Sequence, residues 1–216
     1  MEADACCPLC AAPQARYFHR DRLREYLRCR RCQLVFVPPR FYLCRAAEKA
    51  EYDRHDNRVD DPGYRRFLAR LAQPLSALLS PGATGLDFGC GPGPALAAML
   101  REAGYRVSLY DSFFYPDSAV LQAGYDFITA TEVVEHLHRP GVELERLWSL
   151  LRPGGTLGIM TKLVLDVEAF AGWHYKNDPT HVCFFSVTTW QWWARQQGAA
   201  LDLQGSDVIL LQRPLA

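Results

Sequence analysis

The chain has 216 residues, 49% of them hydrophobic, which is enough for one α/β domain with its own core and a small additional unit. Acidic and basic residues balance at 24 each, so no overall field marks nucleic acid or an anionic membrane as the partner. No apolar run resembles a signal peptide or reaches the roughly 18 residues of a membrane span, so we expect a soluble, cytoplasmic protein without membrane contact.

The first 43 residues contain two Cys-x2-Cys pairs, Cys7 with Cys10 and Cys29 with Cys32, eighteen residues apart. At this spacing two tight turns each offer two thiolates to a tetrahedral Zn²⁺. Because cysteine fills all four positions, such a zinc would be structural rather than catalytic. We therefore predict a small zinc ribbon over residues 1–43, with four unrelated free cysteines as the alternative.

The ribbon sequence is locally basic. Between Arg16 and Arg45 nine arginines accompany only Asp21 and Glu25. These arginines have two interpretations: they offset the two net negative charges of a four-thiolate zinc centre, or they contact phosphate. The second interpretation keeps RNA as an alternative partner.

Residues 44–80 are predicted to form a helical connection. Apolar residues recur at three- and four-residue spacing from Tyr64 to Leu79, which gives the segment one face to bury, and Pro74 is expected to kink it. The preceding stretch from Tyr52 to His55 is a candidate lid over a bound cofactor.

From residue 81 to 216, short apolar runs alternate with helical patterns, which is typical of a parallel sheet covered on both faces. The predicted strands are 84–88, 106–110, 127–130, 156–161, 200–203 and 208–212. The predicted helices are 94–103, 142–151 and 187–197. The expected fold is α/β and Rossmann-like, a mostly parallel sheet with an antiparallel edge strand, plus the N-terminal ribbon.

A glycine-rich loop follows the first of these strands. Gly89, Gly91 and Gly93 let the backbone turn sharply and approach a ligand closely at the start of a helix. Asp111 ends the second strand, where a carboxylate can accept both ribose hydroxyls of a nucleoside. The two features together predict a nucleoside cofactor, and the loop lacks the Gly-x-Gly-x-x-Gly spacing of dinucleotide binders.

This loop, Asp111, the segment 125–136 and the segment 151–157 resemble successive motifs of class I S-adenosylmethionine-dependent methyltransferases. The resemblance is close over residues 83–161 and implies S-adenosylmethionine as the cofactor. It places the loop around the methionine portion, Asp111 at the ribose and Thr129 to Thr131 at the sulfonium. The implied cofactor-binding residues are Asp87, Gly89, Cys90, Gly91, Gly93, Asp111, Ser112, Thr129, Ala130 and Thr131.

One interval departs from that family. Only thirteen residues separate Asp111 from Tyr125, where family members usually place another helix and strand. The interval must therefore be abbreviated or irregular. Its aromatic residues Phe113, Phe114 and Tyr115 are candidates to stack on the adenine.

Methyl transfer is an in-line displacement, so the enzyme has to position the acceptor and, for a hydroxyl, remove its proton. If a helical turn follows Thr131, then Glu132, Glu135 and His136 share one face at i, i+3 and i+4.

The Glu-x-x-Glu-His stretch resembles the metal-binding segment of small-RNA 3′-end 2′-O-methyltransferases and of ubiquinone-pathway O-methyltransferases. That resemblance implies a second divalent metal at Glu132, Glu135, His136 and His181, with His174 the second choice of histidine. Mn²⁺, Fe²⁺, Co²⁺ or Zn²⁺ would suit this site at least as well as Mg²⁺. The alternative is that His136 acts as a plain general base.

The loop 172–181 carries polar, aromatic and imidazole groups after the predicted strand 156–161, at the edge where such sheets bind ligands. We expect the methyl acceptor there. The favoured function is methylation of a hydroxyl on a small molecule. The alternatives are an RNA methyltransferase guided by the ribbon, and a zinc-ribbon adaptor with a non-catalytic cofactor domain.

Overall fold

The structure, a computed structural model, describes residues 5–13, 15–54 and 57–215. Its strands are β1 (Arg16–Arg20), β2 (Glu25–Arg28), β3 (Val35–Phe36), β4 (Thr84–Phe88), β5 (Arg106–Tyr110), β6 (Tyr125–Thr131), β7 (Leu151–Met160), β8 (Cys183–Phe184), β9 (Ala200–Gln204) and β10 (Val208–Gln212). Its helices are α1 (Arg45–Tyr52), α2 (Pro62–Ser76), α3 (Ala95–Glu102), α4 (Pro140–Leu150), α5 (Val167–Ala171) and α6 (Val187–Gln197). Short 3₁₀ turns occur at Pro39–Phe41, Ser118–Gln122, Val134–His136 and His174–Asn177.

The large sheet has six strands in the order β5-β4-β6-β7-β10-β9. Strands β5, β4, β6 and β7 are parallel, and β10 and β9 add two antiparallel strands at one edge. The predicted α/β fold with an antiparallel edge is confirmed. Strand β7 starts at Leu151 rather than at the predicted residue 156, because Leu151 already pairs with Tyr125 of β6.

The interval after Asp111 is abbreviated, as predicted. Residues 112–124 are all described, and they contain no strand of the large sheet. A bridge between Asp111 and Tyr115 closes a tight turn, and a 3₁₀ turn at Ser118–Gln122 leads back to β6. Strand β5 is therefore an edge strand of the large sheet. No further strand lies beside it next to Asp111 in the described residues, so other parts of the chain can pack there.

The predicted helical connection consists of two helices, α1 and α2. Asp61 caps α2 by accepting a hydrogen bond from the Tyr64 N–H, and Pro62 occupies the first turn, where its missing N–H is not needed. Pro74 lies in the last turn of α2, and the face with Leu71 and Leu75 is buried. No helix in the described part of the chain is long and apolar enough to cross a membrane.

The ribbon strands form a second sheet in the order β1-β2-β3-β8. Its last strand comes from the other end of the chain: Val35 pairs with Phe184 and Phe36 with Cys183. The Val37 N–H continues this pairing by donating to the Val182 carbonyl at 2.9 Å. Residues of the predicted ribbon (1–43) and of the predicted domain (81–216) thus share one sheet and one continuous core.

The first cysteine knuckle packs against the start of α4. The Gly141 N–H donates to the Pro8 carbonyl at 3.2 Å. A Cβ atom on Gly141 would lie 2.3 Å from the Leu9 carbonyl oxygen, far inside van der Waals contact. Only glycine allows the knuckle backbone to approach α4 this closely.

We predict that Gly141→Ala lowers the free energy of unfolding by about 1–3 kcal/mol, because the added methyl overpacks this contact. Denaturant unfolding measures the change. Gly172→Ala is the control, since nothing lies within 4 Å of its added Cβ. A Gly141→Ala protein as stable as the wild type would contradict the close packing of knuckle and helix.

Candidate functional site

A cavity of about 810 Å³ opens at the carboxyl ends of β4, β5 and β6. Its walls are the glycine loop after β4, the turn after β5, the segment after β6 and, from the opposite side, α1. The cavity contains the predicted residues Gly89, Cys90, Gly91, Asp111, Ser112, Thr131, Glu132, His136 and His181 in its lining. The remaining predicted residues, Asp87, Gly93, Thr129, Ala130, Glu135 and His174, lie outside that lining.

The glycines of the loop serve different contacts. Gly89 and Gly91 have left-handed φ values of 73° and 64°, which glycine adopts without strain. A Cβ atom on Gly93 would lie 1.8 Å from the carbonyl oxygen of Asn57, in the segment before α2. Gly93 is therefore needed for chain packing, and it lines only a small adjoining cavity of about 20 Å³.

Asp87 lies beneath the loop. Its Oδ1 accepts a hydrogen bond from the Thr129 hydroxyl at 2.8 Å, and the Ala97 N–H at the start of α3 also bonds to the carboxylate. Burial raises the pKa of Asp87 to about 6, although these two hydrogen bonds lower it. Asp87 is thus hydrogen-bonded to Thr129 and to the start of α3, and the contact of Asp87 and Thr129 with the cofactor stays a prediction.

Asp111 joins the end of β5 to the glycine loop. Its Oδ2 accepts from the Gly91 N–H at 3.0 Å, and its Oδ1 accepts from the N–H groups of Phe113 and Phe114 at 2.8 and 3.1 Å. A carboxylate has about four acceptor positions, so roughly one remains for a ligand. Asp111 therefore keeps room to accept a further hydrogen bond from a ligand, and its contact with the ribose hydroxyls stays a prediction.

Helix α1 covers the turn after β5. The Arg45 guanidinium donates to the Ser112 carbonyl at 2.9 Å and lies 4.4 Å above the Phe113 ring. The Tyr52 ring lies 5.6 Å from the Phe113 ring, and both residues line the cavity. Of the segment predicted as a lid, Tyr52 lines the cavity, and His55 lies outside the described residues.

The segment after β6 does not form the helical turn that the sequence suggested. Glu132 has a left-handed φ of 51°, and a 3₁₀ turn starts only at Val134. This break turns Glu132 and His136 toward the cavity, whereas Glu135 is fully buried behind them.

Tyr175 links the partly buried Glu132 with the fully buried Glu135. Its hydroxyl lies 2.5 Å from Glu135 Oε1 and 3.3 Å from Glu132 Oε2. Burial raises the pKa of Glu132 to about 7, while burial and the nearby Glu132 raise that of Glu135 to about 8. Near neutral pH the pair therefore holds a proton that separate, exposed carboxyls would have lost.

Two imidazoles meet at the cavity wall. The rings of His136 and His181 pack edge to face, with centroids 4.6 Å apart. His181 Nδ1 lies 2.7 Å from the Tyr175 carbonyl oxygen, which requires a proton on Nδ1 and leaves Nε2 as the basic atom. One ligand atom from each of Glu135, His136 and His181 lies within 4.8 Å of the others, so these three residues could hold a metal.

The structure separates two predicted residues from that group. Glu132 shares Tyr175 with Glu135 but does not belong to the three-residue set. His174 is exposed, and its Nε2 lies 3.0 Å from Lys162 Nζ, away from the cavity lining.

The four paired cysteines come together as predicted. Cys7 Sγ lies 3.5 Å from Cys32 Sγ, and Cys10 Sγ lies 3.4 Å from Cys29 Sγ. All four sulfurs lie within 4.8 Å of one another, and none forms a disulfide. Tetrahedral zinc with Zn–S bonds of about 2.3 Å places sulfurs roughly 3.8 Å apart, so the cluster could hold Zn²⁺.

The ribbon arginines contact the protein itself. Arg20 and Arg40 both pair with Glu25, Arg28 lies over the Phe18 ring, Arg31 lies over the Trp192 ring, and Arg24 is buried against the loop 176–181. These contacts offer a third role for the local excess of arginine, besides offsetting zinc thiolates and contacting phosphate.

Sequence reasoning missed Tyr175, Asp178 and Arg24. Asp178 Oδ2 lies 3.8 Å from His181 Nε2 and lines the cavity. Tyr175 and Asp178 fall within the loop that was singled out, so their residue types were a usable signal. Arg24 had none, because its partners lie more than 150 residues away along the chain.

A family model described as a methyltransferase domain matches residues 60–204. No curated protein matches the chain.

Among solved structures, the chain is similar to the 1,6-didemethyltoxoflavin N1-methyltransferase of Burkholderia thailandensis, solved with 1,6-didemethyltoxoflavin and S-adenosylhomocysteine. The identity is 19% and the TM-score 0.54, over 94% of this chain and 100% of that chain. An S-adenosylmethionine-dependent methyltransferase of Archaeoglobus fulgidus is 16% identical with a TM-score of 0.53, over 69% and 94%. Magnesium protoporphyrin IX methyltransferase of Synechocystis, solved with S-adenosylhomocysteine, is 17% identical with a TM-score of 0.51, over 70% and 83%. These similarities show the fold.

The partly buried Glu132 predicts a pH-dependent stability. The pKa of its carboxyl is about 7 in the folded protein and 4.5 when exposed, so its contribution to stability is fully present below pH 4.5 and is lost as the pH rises to about 7. We expect Glu132→Gln to reduce this loss by on the order of 2 kcal/mol between pH 5.5 and 8.5. Melting temperatures across this range measure it, with the exposed Glu168→Gln as control. Equal pH slopes in Glu132→Gln and wild type would contradict the raised pKa.

Proposed function

Because the chain belongs to the methyltransferase-domain family, we propose that it transfers the methyl group of S-adenosylmethionine to a hydroxyl group of a small molecule. The observation that carries the acceptor chemistry is the imidazole pair His136 and His181, which lines the same cavity as the glycine loop and Asp111. A cavity of about 810 Å³ has room for a nucleoside cofactor beside a small acceptor.

The cofactor half of the cavity fits S-adenosylmethionine in its donor set. Asp111 keeps an acceptor position for a ribose hydroxyl, and the Gly89 to Gly91 backbone allows close approach of the methionine portion. Thr131 Oγ1 is buried without a hydrogen-bond partner among the described residues, and Thr131 lines the cavity. A ligand atom at this position would satisfy that hydroxyl, which supports the predicted sulfonium side.

The acceptor half fits a hydroxyl that must lose its proton. As the acceptor oxygen forms its bond to the methyl carbon and the bond from that carbon to sulfur breaks, the hydroxyl proton passes to the imidazole pair. The His181 Nδ1–H donates to the Tyr175 carbonyl, so Nε2 is the ring nitrogen of neutral His181 that accepts a proton. Asp178 Oδ2, 3.8 Å from that Nε2, would stabilise the resulting imidazolium.

A divalent metal at Glu135, His136 and His181 is the alternative role of the same residues. A bound metal would lower the pKa of the acceptor hydroxyl and orient it. Two observations favour it: Glu135 Oε2 is buried without a partner among the described residues, and His181 donates its other ring N–H to a carbonyl, as metal-ligating histidines do.

We further propose that Cys7, Cys10, Cys29 and Cys32 hold one structural Zn²⁺. The distances between their sulfurs support this assignment, as do the N–H groups of Arg31 and Cys32, which point to Cys29 Sγ at 3.3 and 3.5 Å. A small-molecule acceptor is favoured over RNA, because the net charge is zero and the contacted ribbon arginines are engaged within the protein. The intact loop and Asp111 argue against a non-catalytic adaptor.

Three substitutions separate cofactor binding from methyl transfer. Asp111→Asn should weaken S-adenosylhomocysteine binding about tenfold or more, because it removes a charged acceptor. His136→Ala should bind S-adenosylhomocysteine normally and lose about 100-fold or more of turnover. His174→Ala is the matched control, since this exposed histidine lies outside the cavity lining. Calorimetry measures binding, and S-adenosylhomocysteine release with a panel of phenols, catechols and sugars measures turnover. Methylation confined to amines or RNA, or an active His136→Ala enzyme, would overturn the proposal.

Metal analysis decides between the two roles of the imidazole pair. For a general base, we expect one zinc per chain and no rise in turnover when Mn²⁺ or Co²⁺ is added to chelator-treated protein. The zinc should be lost in Cys32→Ser and retained in Cys44→Ser, whose cysteine is exposed and outside the cluster. Turnover that requires Mn²⁺ and disappears in Glu135→Gln would assign the metal role instead.

A further inference from the structure

One ribbon arginine is buried against the loop that carries His181. Arg24, only 8% exposed, lies in the turn between β1 and β2. Its Nη1 donates to the carbonyls of Pro179 and His181 at 3.2 and 2.9 Å. Its Nη2 donates to the carbonyl of Asp178 at 2.9 Å and to that of Lys176. One side chain therefore binds four carbonyls of this loop.

These carbonyls require a cation with several donors. Four oxygens from residues 176–181 point at one place, so their dipoles repel one another unless a positive group lies between them. A guanidinium offers five N–H donors in a planar fork and stays charged when buried, whereas a lysine ammonium offers three donors from one atom. Arg24 supplies such a group at this loop.

The turn that presents Arg24 is itself fixed by hydrogen bonds. Asp21 Oδ1 accepts from the N–H groups of Leu23 and Arg24, both at 2.8 Å, and Asp21 Oδ2 accepts from the Tyr26 hydroxyl at 2.7 Å. Burial opposes ionisation of Asp21, but hydrogen bonds from the Arg24 N–H, the Tyr26 hydroxyl and the Leu23 N–H, together with the charge of Lys176, lower the pKa to about 2. The ribbon hairpin is therefore built to hold Arg24 in one place.

Backbone hydrogen bonds also connect the ribbon to the turn that carries His136. The Val37 N–H of the ribbon donates to the Val182 carbonyl at 2.9 Å, and the Val182 N–H donates to the Glu135 carbonyl at 2.8 Å. Val182 follows His181 directly, and Glu135 precedes His136 directly. Backbone hydrogen bonds therefore run from the ribbon through the His181 segment to the His136 turn.

We infer that Arg24 is a positioning residue for His181, and that the zinc ribbon is a structural part of the acceptor site rather than a separate binding module. The expected effect of Arg24 on catalysis rests on the proposed function of His181. The effect of Arg24 on the order of the loop is independent of that function and is measured separately.

Hydrogen exchange of the full-length, zinc-loaded chain tests the inference. In Arg24→Met, amides of residues 174–182 should exchange about tenfold faster or more, while the glycine loop 89–93 keeps its protection and zinc stays at one per chain. Arg22→Met is the matched control, because Arg22 is exposed in the same hairpin turn. Unchanged exchange over 174–182 in Arg24→Met would overturn the inference.

A second variant decides the case in which Arg24→Met loses zinc and protection throughout. Arg24→Lys keeps the positive charge but loses the planar set of guanidinium N–H donors. It should therefore speed hydrogen exchange in residues 174–182 alone. Removal of zinc by Cys32→Ser should open the same segment. Protection of 174–182 that survives in both variants would show that the ribbon does not hold this loop.

The effect of Arg24 on catalysis is measured with the phenol, catechol or sugar that the wild type methylates. Arg24→Lys should lower kcat about 10- to 100-fold, because a small displacement of His181 misplaces its Nε2, while S-adenosylhomocysteine affinity stays within about twofold. A loosened loop with unchanged kcat would refute the positioning role. If no wild-type turnover is found with the panel, the proposed function fails and the exchange result still decides the role of Arg24.

Discussion

The pairing of β3 with β8 is the interaction on which the rest of the molecule depends. A ribbon of about 40 residues cannot bury enough apolar surface to fold alone. Strand β8 supplies the missing edge, and the buried ribbon residues Leu34 and Phe36 enter one core with Phe184 and Trp190. The first cysteine knuckle packs against the start of α4 through the Gly141 N–H and the Pro8 carbonyl. The ribbon and the loops around His181 therefore belong to one packed unit.

The acceptor end keeps ionisable groups in places that ordinary packing would give to apolar side chains. Glu135 is fully buried, and Glu132 adopts a left-handed φ that costs a non-glycine residue energy. Tyr175 offsets part of this cost by placing one hydroxyl against both carboxylates. Such unfavourable features persist where surrounding contacts hold them, and here those contacts come from the loop that Arg24 organises.

The sequence predicted the features that depend on neighbouring residues. The bounds of β4, β5 and β10 agree with prediction, because apolar runs ended by turn residues are local signals. The glycine loop, Asp111 and the paired cysteines were found for the same reason. Strand β8 was missed, because two residues carry no periodicity and its partner lies about 150 positions away. The sharp turn at Glu132 was not predicted, because a left-handed residue other than glycine leaves no signal in the spacing of residue types.

The predicted features lie mostly in the proposed cofactor half of the cavity, and the missed features lie mostly in the proposed acceptor half. The cofactor half consists of consecutive strand ends, β4 to Gly91 and β5 to Asp111, whose residues approach each other because parallel strands end at the same edge. The proposed acceptor half is assembled from the turn at His136, the loop at His181 and the ribbon, which are joined by hydrogen bonds between residues up to 157 positions apart. Within the described residues, the ribbon is connected to the proposed acceptor half through Arg24 and Val182, and neither residue hydrogen-bonds to the glycine loop or to Asp111. Under the proposed function we therefore expect changes in the ribbon to affect acceptor positioning more than methyl-donor binding.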